Sequence, residues 1–272
     1  MKKKLSMIAA EGVMLAVTVL FFLPLMIMVF GAFKDPAEAA MFSFRPPSSW
    51  HFDNFGFVIK TGNVLRSFVN SVILTGFSAG LGVLFASMAA YIIARRKTGG
   101  AERLYNYFLI GMVAPVQIIT TYVLLDFLGL KGTFAGLIMV YIGANLPFNI
   151  LMFSSFIRNV PVELDEAAFL DGGSLGQVFF GVVLPLLKPI YATSFIIFAM
   201  SVWNDFQMPL YLLNTPKKWT LPLTVYNFYG QYYSNWNYVF ADMMITALPI
   251  VVVYLFAQKY IVEGMTAGAI KG

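Results

Sequence analysis

The chain has 272 residues, of which 59% are hydrophobic and only 11% are charged, and its mean hydropathy is +0.77. A soluble domain is about half apolar and about a quarter charged, so this composition predicts a membrane protein. The absence of Cys excludes disulfides and Cys-ligated metals, and the single His51 excludes a multi-His metal site. The net charge is +5, but the basic residues stand at the ends of apolar runs rather than in one stripe, which argues against a nucleic-acid partner.

Six apolar runs follow one another along the chain, each long enough to cross a bilayer as a helix of about 20 residues. The first run is longer than the apolar region of a signal peptide and no clear small-residue cleavage site follows it, so it is interpreted as an uncleaved span. We therefore predict an all-α integral membrane protein with a single transmembrane domain, residues 1–272. The predicted spans are 13–33, 69–94, 104–125, 134–157, 189–212 and 242–261.

The distribution of Lys and Arg predicts the topology. With six spans, both termini share one side of the membrane with the connections near 95–103 and 158–188, and 11 of the 18 basic residues lie on that side. Basic residues close to span ends favour the cytoplasm, so both termini are predicted to be cytoplasmic. The 11 residues are Lys2, Lys3, Lys4, Arg95, Arg96, Lys97, Arg103, Arg158, Lys188, Lys259 and Lys271.

The sequence of the predicted cytoplasmic connection 158–188 indicates two short helices separated by a turn. Pro161 suits the start of the first helix, because a missing N–H is tolerated there. Carboxylates follow in the next turn, where they favour the positive end of the helix dipole. They are Glu163, Asp165 and Glu166.

A turn is predicted directly after these residues. Gly172 and Gly173 can end the first helix in a left-handed conformation, and Ser174 can cap the second. The first helix combines apolar side chains with carboxylates, whereas helices that lie on a bilayer usually carry Lys and Arg. From these residues alone, both a lipid surface and a basic protein groove remain open as its binding partner.

The segment EAAFLDGGSLGQVFFGVVLP, residues 166–185, resembles the EAA motif of binding-protein-dependent ABC importer permeases, E-A-A-x(3)-G-x(9)-I-x-L-P. One position departs from that pattern, because Val182 replaces the usual Ile. A match at seven spaced positions in the predicted cytoplasmic connection is specific. These positions are Glu166, Ala167, Ala168, Gly172, Val182, Leu184 and Pro185.

The resemblance extends along nearly the whole chain, including SVWNDFQMPLYLL at 201–213 and QKYIVEGMTAGAIKG at 258–272. The ending is typical of carbohydrate-uptake permeases of the MalG type. This implies the type I ABC importer permease fold, with a cytoplasmic coupling helix between the fourth and fifth spans. It also implies half of a translocation pore for a sugar or oligosaccharide delivered by an extracytoplasmic binding protein.

The same resemblance implies that the connection 158–188, called the coupling loop below, binds an ATPase subunit. Glu166 would be the charged anchor to a basic residue of the ATPase, Ala167 and Ala168 would permit close approach, and Gly172 would set the turn. The coupling residues implied in this way are Glu163, Glu166, Ala167, Ala168, Asp171, Gly172 and Pro185.

The partners implied by the resemblance are a second, related permease subunit in a heterodimer, two ABC ATPase subunits, the binding protein and membrane lipid. The chain contains no phosphate-binding Gly-x-x-x-x-Gly-Lys-Ser/Thr pattern. We therefore expect no enzyme activity and no cofactor in this chain, with ATP and Mg on the partner ATPase. The expected location is the bacterial or archaeal cytoplasmic (inner) membrane.

Polar side chains within the predicted spans are candidates for the translocation path, because such groups are costly in lipid and are expected to face protein or water. An aromatic ring among hydrogen-bonding groups suits sugars. Packing between helices or subunits remains an equal alternative for any one of these residues. The candidates are Asn145, Asn149, Trp203, Asn204, Asp205 and Gln207.

Other functions remain to be separated from sugar import. The substrate could instead be a polyol or a sugar phosphate such as glycerol phosphate. An ion-coupled secondary transporter would also have apolar spans and an intramembrane acid such as Asp205, although the coupling loop argues against it. An intramembrane enzyme is disfavoured, since the spans contain no Ser-His arrangement and no metal-ligand cluster.

Overall fold

The computed structural model of the protein describes residues 2–96, 98–230 and 235–269, so Lys97 and Lys271 of the charge count lie outside the described residues. The regular elements of the described residues are helical, as the composition predicted. The α-helices are α1 (Lys2–Ala32), α2 (Pro36–Ala39), α3 (Asp53–Thr61), α4 (Val64–Arg95), α5 (Gly99–Val113), α6 (Ile118–Phe127), α7 (Phe134–Ile157), α8 (Glu163–Leu170), α9 (Leu175–Val178), α10 (Leu184–Leu186), α11 (Lys188–Asn204), α12 (Gln207–Leu212) and α13 (Trp236–Ala269). A π-helix covers Phe179–Val183, and 3₁₀ helices cover Pro216–Lys218 and Leu221–Asn227.

Four helices are long and apolar enough to cross a membrane, namely α1, α4, α7 and α13. Two bent pairs pass the same test of length and composition when each pair is taken together. One pair is α5 with α6, and the other is the helical stretch Leu175–Leu186 with α11. Counting each pair as one span gives six spans within the described residues, in agreement with the six apolar runs.

The segment predicted as one span at 104–125 contains a sharp break. The axes of α5 and α6 differ by 118°, and Pro115 lies between them. Proline disfavours the helical conformation of the residue before it. Ala114 is accordingly extended, with φ −74° and ψ 117°, and the helix ends there.

The segment predicted as a span at 189–212 also contains a break, because α11 ends at Asn204 and α12 begins at Gln207. Pro209 explains the position. In a continuous helix its ring would collide with the carbonyl of Asp205, four residues earlier. Asp205 instead takes an extended conformation with ψ 122°, and Pro209 falls in the first turn of α12, where proline is tolerated.

One compact unit consists of Met1–Phe68 and Leu221–Pro249. Asn54 is buried there and ties the end of α1 to α13: its Nδ2 donates to the carbonyls of Ala32 at 2.9 Å and Lys34 at 3.0 Å, and its Oδ1 accepts from Asn237 at 3.0 Å. The chain entering and leaving these helices is therefore held by buried amide hydrogen bonds.

The second compact unit consists of Val69–Thr220 and Ile250–Gly272. Its apolar core is formed mainly by α4, α7 and α11, with buried side chains such as Val83, Phe153 and Phe198. Gly82 lies so close to the ring of Phe198 that a Cβ at this position would collide with it, so α4 and α11 approach closely there. This unit carries both the coupling loop and the break between α11 and α12.

Candidate functional site

The coupling loop is a helix, a tight turn and a second helix. After α8, Gly172 takes the left-handed conformation with φ +86°. Its N–H donates to the carbonyl of Phe169 at 3.0 Å, and the N–H of Gly173 donates to the carbonyl of Ala168 at 3.0 Å. These two bonds form a Schellman C-cap, which satisfies the last carbonyls of α8 and reverses the chain.

The second helix begins with a cap and then widens. The N–H and hydroxyl of Ser174 both lie 2.8 Å from Oε1 of Gln177, which fixes the first turn of α9. The following five residues, Phe179–Val183, form a π-helix. Pro185 accounts for this widening, because it has no N–H to donate to the carbonyl four residues earlier.

The coupling loop presents an exposed surface that is both acidic and apolar. Glu163 and Glu166 are exposed, and the Leu170 side chain is 88% exposed although it is entirely apolar. Leu164 and Phe169 are 42% and 43% exposed. Exposed apolar side chains grouped with charges are typical of protein interfaces. Of the other predicted coupling residues, Ala168 is half-buried, and the exposed ones are Ala167, Asp171, Gly172 and Pro185.

Asp165 differs from its acidic neighbours because it is buried. Its Oδ2 accepts from Arg95 Nε at 2.8 Å, and its Oδ1 accepts from Arg95 Nη2 at 3.2 Å. The hydroxyl of Tyr91 donates to the same Oδ2 at 3.0 Å. The carboxylate therefore joins α8 to the C-terminal end of α4 and is not part of the exposed surface.

Arg95 makes two further bonds on the same side of the loop. Its Nη1 donates to the carbonyl of Val160 at 3.0 Å and to the carbonyl of Ile157 at 3.3 Å. Ile157 is the last residue of α7, and Val160 lies in the turn that leads to α8. One guanidinium therefore connects the end of α4, the end of α7 and the start of the coupling loop.

Two of the predicted path residues lie on α7 and make hydrogen bonds within the chain. Asn145 is half-buried, and its Nδ2 donates to the carbonyl of Tyr141 at 3.0 Å. Asn149 is buried; its Nδ2 donates to the carbonyl of Asn145 at 2.8 Å, and its Oδ1 accepts from the hydroxyl of Ser194 on α11. Asn149 thus joins α7 to α11.

Asp205 lies at the break between α11 and α12. Its Oδ1 accepts from the backbone N–H of Gln207 at 2.8 Å and of Met208 at 3.3 Å, which caps α12. Its Oδ2 accepts from the hydroxyl of Tyr141 at 2.7 Å, which ties the break to α7. The hydrogen bonds of Asp205 therefore stabilise the conformation of the break.

The other predicted residues at the break differ in burial. Trp203 is buried, whereas the side chains of Asn204 and Gln207 are exposed. Amide groups of this kind can donate and accept hydrogen bonds, as recognition of hydroxyl-rich ligands requires. Among the residues that the structure describes, no group of three His, Asp or Glu side chains is placed to hold a metal ion.

Four residues with important contacts were missing from the predicted site. Arg95 was counted only as a basic residue at a span end, and Tyr91, Tyr141 and Ser194 were not singled out. Each is a polar group within or at the end of an apolar helix, which is a usable indication of an internal partner. The sequence does not identify that partner, because it lies on a distant helix.

The chain resembles known proteins both in sequence and in fold. Residues 82–267 match the family model described as "Binding-protein-dependent transport system inner membrane component". The chain is 36% identical over 229 residues to the melibiose/raffinose/stachyose import permease protein MelC of Bacillus subtilis (strain 168), with 83% of each chain covered. It is 36% identical over 259 residues to the multiple sugar-binding transport system permease protein MsmG of Streptococcus mutans, with 93% of each chain covered.

A solved structure has the same fold. It is a chain in the crystal structure of a bacterial ABC transporter involved in the import of the acidic polysaccharide alginate. The two chains superpose with a TM-score of 0.81 at 22% sequence identity, over 96% of this chain and 98% of the other. At this identity the likeness concerns the arrangement of the helices alone.

Proposed function

Since the chain belongs to the family of binding-protein-dependent transport system inner membrane components, we propose that it is the permease subunit of an ATP-binding-cassette importer of a sugar or oligosaccharide. The observation that carries this proposal is the coupling loop, a capped helix-turn-helix with an exposed acidic and apolar surface. Two relatives named for sugar import or sugar transport, MelC and MsmG, favour carbohydrate over a polyol or a sugar phosphate.

The exposed surface of α8 is the docking surface for the ATPase in this proposal. Glu166 pairs with a basic residue of the ATPase, and Glu163 and Asp171 extend the acidic surface. Leu170 supplies apolar contact, because its 88% exposed side chain is suited to burial in a groove. Ala167 permits close approach of the two backbones.

The turn and the end of the loop shape this surface. Gly172 sets the reversal of the chain through its φ of +86°. Pro185 ends the widened segment that leads into α11. Ala168 is half-buried against the apolar core, so it positions α8 on its own chain as well as permitting contact with a partner.

The exposed amides at the break belong to the sugar path in this proposal. Asn204 and Gln207 are exposed there, and Asn145 is half-buried on the neighbouring α7. Trp203 and Asp205 hold the shape of the break from its buried side, and Asn149 holds α7 against α11. The sugar hydroxyls are then bound by amide groups near a helix irregularity.

The complete importer contains more than this chain. We propose a heterodimer with a second, related permease subunit, two ABC ATPase subunits that bind ATP and Mg, and an extracytoplasmic solute-binding protein. The chain lies in the cytoplasmic membrane of a bacterium or archaeon among membrane lipid, with both termini in the cytoplasm. The coupling loop then faces the ATPase, and the break lies in the outer part of the membrane.

The test is transport by the whole complex in proteoliposomes, with binding protein outside, ATP inside and a panel of glycans. We expect uptake of one or more sugars that requires both ATP and the binding protein and that continues when ionophores collapse the ion gradients. Glycerol phosphate and polyols in the same panel separate the closest alternatives. Uptake that is independent of ATP and abolished by ionophores would show a secondary transporter instead.

A further inference from the structure

The coupling loop is connected to the spans in two different ways. The chain itself joins it to α7 on one side and to α11 on the other. By contrast, the chain does not join α4 to the loop directly, because Arg95 and Asp165 are 70 residues apart in the sequence. Any motion that α4 shares with the loop must therefore pass through non-covalent contacts.

The contact between Arg95 and Asp165 has the properties of a stiff connection. The two side chains are only 14% and 5% exposed, so little water competes for their hydrogen bonds. The guanidinium binds both carboxylate oxygens, and this planar arrangement restricts both distance and orientation. Its two bonds to backbone carbonyls at 157 and 160 fix the start of the loop as well.

The last turn of α4 also contacts the second half of the loop. Tyr91, four residues before Arg95, donates to Asp165 at 3.0 Å. The ring centroid of Tyr91 lies 5.5 Å from the ring centroid of Phe179, the first residue of the π-helix. The end of α4 therefore holds both helices of the coupling loop at once.

This arrangement gives two neighbouring carboxylates of α8 different surroundings. Asp165 is buried against α4, while Glu166 is exposed. Successive residues of a helix point about 100° apart, so adjacent acids can serve an internal and an external partner at the same time. The external force on Glu166 then acts on a helix that Asp165 attaches to α4.

We propose that Arg95 is a positioning residue: through its ion pair with Asp165, it makes the end of α4 move as one body with the coupling loop. The proposal rests on the proposed function, because only a loop that an ATPase displaces has motion to pass to α4. Arg95 contacts neither the sugar nor ATP in this scheme. It determines how much of the loop's displacement reaches the second span.

The test uses the whole importer in proteoliposomes and measures sugar imported per ATP hydrolysed. Arg95→Ala is expected to lower this ratio by at least about tenfold, as the loss of one partner of a buried ion pair implies, while the ATPase subunits still copurify. Arg96→Ala is the matched control, because Arg96 is the exposed neighbouring arginine, and we expect the wild-type ratio. An unchanged ratio in Arg95→Ala would overturn the proposal.

A charge exchange sharpens this test. Arg95→Asp combined with Asp165→Arg restores an ion pair but not the bonds to the two carbonyls, so we expect partial recovery of the ratio. If the exchange recovers nothing beyond Arg95→Ala, the ion pair is not the connection and the proposal fails. A wild-type complex that imports no glycan contradicts the proposed function instead, so the two failures are distinguishable.

If Arg95→Ala does not retain its ATPase subunits, a distance measurement tests whether the end of α4 and the coupling loop move as one body. This chain has no Cys, so spin labels can be attached to Arg96→Cys and Gly176→Cys in a complex whose partner subunits carry no reactive Cys. A Cβ at Gly176 meets no atom within 4 Å. We expect the distance between the labels to be the same with and without ATP, and a shift beyond the width of its distribution would overturn the proposal.

Discussion

The coupling loop and the break between α11 and α12 are built around the same pair of groups. In each, a tyrosine hydroxyl donates to an aspartate: Tyr91 to Asp165 at 3.0 Å, and Tyr141 to Asp205 at 2.7 Å. The remaining partners differ. Asp165 binds the guanidinium of Arg95, whereas Asp205 binds two backbone N–H groups at the start of α12.

This difference separates a stiff region from an adaptable one. The Arg95–Asp165 pair connects elements far apart in the sequence and is largely shielded from water, so separating it exposes or isolates two charges. Apart from the tyrosine, the bonds of Asp205 are local and depend on the conformation of two or three residues. In the proposed importer, a loop that transmits force requires the first arrangement, and a break that binds a sugar is better served by the second.

Neutralising Asp165 should have the largest effect on stability. Asp165→Asn leaves Arg95 buried without its counter-charge, so we expect the free energy of unfolding to fall by about 3–5 kcal/mol. The measurement is a denaturant titration of the permease in mixed micelles. Asp171→Asn, at an exposed position at the end of the same helix, should change it by less than about 0.5 kcal/mol. Equal effects of the two variants would show that the ion pair is not the stiff element.

Reversing the charge of Glu166 should affect coupling rather than folding. Truncating one partner of a desolvated interfacial charge pair costs about 2–5 kcal/mol, so Glu166→Lys should insert normally but lose ATPase binding and sugar uptake. Copurification of the ATPase and uptake in proteoliposomes measure these two losses. Glu102→Lys, at another exposed glutamate, is the control and should transport normally. Normal uptake by Glu166→Lys in a normally assembled complex would refute the anchor role.

Asp205→Asn tests the adaptable region by the same change of charge. A hydrogen bond to a charged group contributes about 1.5–3 kcal/mol, and Asn keeps part of the capping ability, so we expect a loss of about 1–2 kcal/mol in stability. The comparison with Asp165→Asn in the same titration is the measurement. Asn204→Ala, at an exposed position beside it, should leave stability nearly unchanged. If Asp205→Asn destabilises the chain as much as Asp165→Asn, the two regions do not differ in the way described.

Much of this architecture is predictable from the sequence because it depends on neighbouring residues. The all-helical membrane fold follows from the apolar runs, and α7 spans 134–157, the range of one of those runs. The left-handed end of α8 falls at Gly172, one of the two glycines predicted to provide it. These features are local, so composition and spacing were sufficient to predict them.

The features that escaped prediction depend on distant parts of the chain. Asp165 and Glu166 are adjacent carboxylates of one helix, and Asp165 differs from Glu166 through its contacts with Tyr91 and Arg95 on α4. The break at Pro115 lies within a run that is mostly apolar, and hydropathy does not detect a missing N–H. The roles of the loop residues in coupling stay predictions until they are tested in the complex.

The last prediction concerns the turn at Gly172, which reverses the chain within the coupling loop. Gly172 has φ +86°, and a Cβ there would meet no atom within 4 Å, so Gly172→Ala is penalised by backbone conformation alone. We expect the free energy of unfolding to fall by about 1–2 kcal/mol. Gly176 also has open space around it but lies within α9, so Gly176→Ala should raise stability by about 0.5–1 kcal/mol through helix propensity. Two alanines four residues apart are thus expected to act in opposite directions, and a shared sign in the denaturant titration would mean that Gly172 does not hold the turn.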